Sequence, residues 1–159
     1  MNIVKRLDQY NENYVYFCDP IKNNIMNEAK FIRILYSSPH FILNGIYLYI
    51  PLQDVVIEKY YNKYKCVFNI HDNRLLIEKL KVIEETILQK SNIKNKIPTF
   101  KIYEQMINGN IKIFNFFPPS SPPSTETNSF VIKISGIWET ETNYGLTFKF
   151  SKLYERFVK

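Results

Sequence analysis

The 159 residues of this chain suit one domain with one sizeable core. Hydrophobic residues make up 45% and aromatic ones 16%, with 12 Tyr and 12 Phe, a balance that favours pleated surfaces over helical bundles. The net charge of +6 and a pI of about 9.2 favour a polyanionic partner, nucleic acid or an anionic membrane surface, although an AT-rich coding bias would also inflate Lys, Asn, Ile and Tyr.

In chain order, residues 1–27 read as a polar N-terminal extension with one aromatic patch, 14–18, that suits a short edge strand. Only two cysteines occur, Cys18 and Cys66, and the opening residues lack an apolar signal-peptide core. The expected setting is therefore reducing and intracellular, in the cytoplasm or nucleus of a host cell. No apolar stretch approaches the roughly 20 residues that span a bilayer, so no membrane partner is expected.

From Lys30 the pattern alternates. Lys30, Ile32, Ile34 and Tyr36 share one side, and Arg33 points the other way. A second strand over Phe41–Ile50 carries Gly45 as a bulge and ends at Pro51. Within it Tyr47 and Tyr49 share a face, with core packing the favoured role and base stacking the alternative. Val55–Tyr61 and Tyr64–Ile70 read as a hairpin or one long bent strand around Asn62 and Lys63. This stretch interleaves tyrosines with lysines. Lys59, Lys63 and Lys65 become phosphate-neutralising candidates, and Tyr60 or Tyr64 stacking candidates.

Asp72 and Asn73 supply helix N-cap chemistry, and Leu76, Leu80, Ile83 and Ile87 form the stripe of one amphipathic helix to about Lys90. Asn108-Gly109 between two apolar runs, Thr99–Ile107 and Asn110–Phe117, predicts a hairpin. Counting outward from that turn pairs Gln105 with Lys112, Tyr103 with Phe114 and Lys101 with Phe116. Such a face alternates basic and aromatic side chains, as a stacking platform for single strands requires, or else it packs under the Pro/Ser-rich loop 118–129. A last hairpin joins Phe130–Trp138 to Tyr144–Phe150, and 151–159 form a short tail. Ile132, Ile134, Tyr144, Leu146, Phe148 and Phe150 are in phase as core, while Lys133 and Lys149 face outward. Trp138 is either a stacking residue or a barrel plug.

Catalysis is not expected. His40 and His71 are the only histidines, and neither stands near a Cys, Asp or Glu at ligand spacing. No phosphate-cradling glycine loop, nucleophile elbow or clustered carboxylate set is present, so neither metal nor cofactor is expected. Strands, a helix and further strands match an OB-type five-stranded Greek-key barrel with an added hairpin or two and one α-helix. A β-sandwich with one helix is the alternative.

The segment 131–150 (VIKISGIWETETNYGLTFKF) resembles the closing hairpin of single-stranded DNA-binding proteins from phages, large DNA viruses and related mobile elements. The shared features are a Gly-aliphatic-Trp strand end at Gly136–Trp138, a polar turn, and Tyr144-Gly145-Leu146 opening an apolar/basic strand. The resemblance covers about 20 of the 159 residues. It implies an OB-type fold that coats single-stranded DNA during replication with little sequence specificity, with replication proteins and self-association as further contacts. The basic, apolar C-terminus departs from the acidic tail that recruits partners in many such proteins. The competing readings are an adaptor barrel that binds no nucleic acid, an RNA-binding domain, and a small metal-dependent nuclease.

Overall fold

The computed structural model describes residues 3–22, 29–114 and 128–153. Two short 3-10 turns, Leu7–Gln9 and Glu12–Tyr14, lead into β1 (Val15–Phe17) and β2 (Ile21–Lys22). There follow β3 (Lys30–Ser37), β4 (Ile42–Leu43), β5 (Ile46–Leu52), β6 (Val56–Tyr60) and β7 (Lys63–Val67). Helix α1 (Arg74–Lys90), β8 (Ile97–Thr99), helix α2 (Lys101–Ile107), β9 (Asn110–Phe114), β10 (Asn128–Glu139) and β11 (Asn143–Lys152) complete the chain.

The protein is mostly β, and its main sheet curls into a half-barrel with β10 at its centre. One edge of β10 pairs antiparallel with β11 along nearly its whole length. Its other edge is shared: β5 pairs with Asn128–Ile134 and β3 with Gly136–Glu139. The handover coincides with a register irregularity between Ile134 and Gly136. An extra residue on one strand bends it and sharpens the twist, so the sheet turns a corner there. Only glycine fits at 136, where a Cβ would lie 2.3 Å from the Ile32 carbonyl oxygen and 2.6 Å from Phe31 Cζ. Gly45, at φ +112°, breaks what reads in sequence as one strand into β4 and β5. Pro51 does not end β5; it sits opposite Ser129, and the strand runs on to Leu52.

A separate antiparallel sheet, β6-β7-β9, stands beside the helices. Its first hairpin turns tightly through Tyr61, at φ +57°, and Asn62. The core lies between the two sheets and α1. Ile34, Leu48, Ile50 and Ile132 from the main sheet, Cys66 and Ile111 from the small one, and Ile102 and Met106 from α2 are all fully buried in it. The apolar stripe of α1 is present, with Leu80, Ile83 and Ile87 buried. Asn73 does stand at its N-cap, but its side chain leaves the helix uncapped. Its carboxamide instead accepts from Gln53 N at 2.9 Å and donates to the Asn69 carbonyl at 2.8 Å.

The second helix overturns the hairpin expected at Asn108-Gly109, and with it the expectation of a single helix. Ile102 and Met106 stand four residues apart and are both fully buried, a helical spacing. Gly109 takes φ +75° and donates its N–H to the Met106 carbonyl at 3.0 Å, so Asn-Gly here ends a helix rather than turning a hairpin. The strand after it, β9, pairs with β7 instead of with 101–107. The expected pairs Gln105–Lys112 and Tyr103–Phe114 therefore do not form, and the third, Lys101–Phe116, falls on a residue outside the described ones.

Candidate nucleic-acid interface

On the outer side of the main sheet, Tyr47, Lys133 and Lys149 stand in one lateral row across β5, β10 and β11. Their chain neighbours Ile46, Leu48, Ile132, Ile134 and Phe150 are buried, which turns the row away from the core. The Lys133 ammonium lies 5.5 Å from the centre of the Tyr47 ring. Tyr47 is thus a half-buried outward residue, not the core residue that its strand suggested; Tyr49 shares its side and bonds through its hydroxyl to Ser129 Oγ at 2.8 Å. Arg33 is exposed on β3, opposite Gly136, and donates to Asn44 Oδ1 at 3.1 Å.

A second basic face lies on the small sheet. Glu58, Lys65 and Lys112 form one row across β6, β7 and β9, on the side away from the buried row of Cys66 and Ile111. Lys63 occupies the same side, with Tyr60 and Phe114 as its register partners. The side chains of Tyr60 and Phe114, and the whole of Phe116, lie outside the described residues. Lys59 and Tyr64 alternate onto the other side, where Tyr64 packs against the core. They do not join the basic row.

Between these faces is a cleft of about 550 Å³, bounded by α2, β9, β11 and Trp138. Two residues along β11 from Lys149, and on the same side of the strand, Thr147 lines its wall. Lys101 and Lys112 line it too, as does the carboxylate of Glu104, 3.9 Å from the Lys101 ammonium. Trp138 sits opposite Gly145, where a Cβ would lie 2.7 Å from indole Cζ2. The glycine makes room for the ring to lie over the strand while remaining half-buried at the cleft. Tyr103 is not part of this surface. It packs toward α1, where the Lys81 ammonium lies 4.8 Å from its ring centre.

Gln105, Asn108, Asn110 and Phe148 also line the cleft and were missed as candidates. The helical periodicity of 101–107 was the one available signal for the first two. Phe148 reads as core by phase, and it does touch Phe150 with ring centres 5.8 Å apart, but it is only half-buried. A further cleft of about 600 Å³ lies at the start of α1, where Arg6, Arg74 and Lys79 line it together with the carboxylates of Asp8 and Asp72; of the aromatic candidates only Tyr49 reaches it.

The arrangement offers separated cations along two strand faces, with aromatic rings and a recess between them. Comparison of the chain with protein-family models, curated proteins and solved structures gives no significant match. No described helix is long and apolar enough to cross a membrane.

Proposed function

We propose that this chain binds single-stranded DNA, following the backbone along the Tyr47–Lys133–Lys149 row and into the cleft at Trp138. The observation that carries this reading is that continuity: lysines on adjacent strands lead along β11 to a recess holding Lys101, Lys112 and the only tryptophan of the chain. Single strands need spaced cations for phosphates and accessible ring faces for bases, each stacked base contributing about 1–3 kcal/mol. A duplex, whose bases are already stacked, offers no ring faces to such a recess.

In this proposal the half-barrel is an OB-type barrel with two helices added, and the chain is a viral or mobile-element protein that coats replication intermediates. The resemblance of the 131–150 segment supports both points. The test is a titration of the Trp138 fluorescence with a dT oligomer of about 30 nucleotides, at several salt concentrations and against the matching duplex. Quenching by the single strand alone, weakening steeply with salt, is the expected result. An oligomer that leaves the fluorescence and the mobility of the protein unchanged at low salt overturns the proposal.

A further inference from the structure

Nothing in phosphate binding requires the carboxamides of the cleft. Gln105 and Asn108 project from the last turn of α2, and no hydrogen bond holds either side chain among the described residues. Asn110, at the start of β9, donates through Nδ2 to the Asn108 carbonyl at 3.3 Å, which steadies it and leaves its Oδ1 as an acceptor. Each carboxamide presents a donor and an acceptor side by side, the arrangement that pairs with the edge of a nucleobase. The aromatic rings of Trp138 and Phe148 line the same recess. A volume of about 550 Å³ lies within the range of small-ligand pockets, roughly 300–1,000 Å³.

Resting on the proposed single-strand reading, we infer that this cleft takes an unpaired base and reads its edge through Gln105 and Asn108. Binding is then not indifferent to base identity. Lys101 and Lys112, which line the cleft, hold the phosphates flanking the inserted nucleotide. Trp138 and Phe148 supply ring contact, and the carboxamides discriminate. Both carboxamides sit on a helix whose first turn is held by a buried carboxylate, so they are presented on a fixed frame, as edge recognition requires.

The experiment compares dA, dC and dT oligomers of about 30 nucleotides on the full chain, wild type against the Gln105→Ala/Asn108→Ala double variant. Both residues are at least partly exposed, and the variant's circular dichroism and melting temperature check that it folds. The wild type is expected to show a spread of roughly tenfold or more between its best and worst homopolymer, the size of one good edge contact. In the double variant the spread collapses to about twofold while the salt dependence stays, because the lysines are intact. A wild type that binds all three equally, or a spread that survives in the variant, overturns the inference and leaves single-strand binding standing. Failure of the wild type to bind any of the three removes the underlying reading itself.

Discussion

The carboxylate of Glu84 on α1 closes the first turn of α2: its Oε2 accepts the N–H of Ile102 at 2.9 Å, and its Oε1 that of Tyr103, also at 2.9 Å. Glu84 is fully buried, and burial raises its pKa above the ordinary value, against the lowering effect of these two bonds. A seven-residue helix has little stability of its own, so this long-range cap is a main reason that 101–107 is helical. Glu84→Gln keeps one acceptor and strands the other N–H, and the expected loss is about 1–3 kcal/mol in urea unfolding. An unchanged midpoint refutes this account of α2.

The same carboxyl sets a direction for pH. Its folded pKa lies above its unfolded value near 4.5, so the folded chain holds this proton to higher pH than the unfolded one. The contribution of this group is fully present below the unfolded value and is lost as pH rises through the folded one. Unfolding of wild type and Glu84→Gln across that window is expected to show a shallower decline with rising pH in the variant. Parallel curves contradict the shift.

Removing Lys133 and Lys149 together leaves the core intact, since both point outward. If each neutralises one phosphate, the slope of log affinity against log salt falls by about 0.7 per lysine lost. The double Ala variant is therefore expected to bind dT more weakly at low salt and to converge on wild type as salt rises. The Arg74→Ala variant, in the other cleft, is the control and keeps the wild-type slope.

Gly136→Ala forces a methyl group to within 2.3 Å of the Ile32 carbonyl, a backbone atom that cannot rotate away. The sheet must open between β3 and β10. A loss of about 1–3 kcal/mol or more is expected, read as a lowered melting temperature. A melting temperature equal to wild type contradicts the close approach.

The two thiols separate by burial. Cys66 is fully buried, and burial pushes its thiol up to about 11, with nearby Lys152 pulling the other way. Little thiolate forms near pH 8, and reagent has no route to it. Titration of the native chain with a thiol reagent is expected to modify the half-buried Cys18 alone, with Cys66 reacting only after denaturation. Rapid modification of both refutes the placement of Cys66.

Much of the architecture was legible in the order of residues because local rules decide it. Period-two alternation located β3 and β10, and the side of Arg33, Lys133 and Lys149 follows directly from the burial of the residues between them. The four-three-four spacing from Leu76 to Ile87 located α1. The Tyr144–Phe150 strand and its turn need only neighbours a few residues away. These features arise from sterics and from the burial of apolar side chains within one segment, so a reading of that segment suffices.

Residues 101–107 mark where that stops. Their apolar pattern fits a strand or a short helix, and Asn-Gly serves either a hairpin or a helix end. Glu84, 18 residues away, decides for the helix by supplying the acceptor that the first turn lacks. That decision sends β9 to pair with β7, carries Tyr103 toward Lys81, and brings Gln105 and Asn108 to the wall of the cleft. Local alternation set the outward side of Arg33, Lys133 and Lys149. The outward place of Tyr47, the exclusion of Lys59 from the basic row and the meeting of α2 with β11 depend on long-range pairing, because the deciding hydrogen bonds join segments that no local pattern connects.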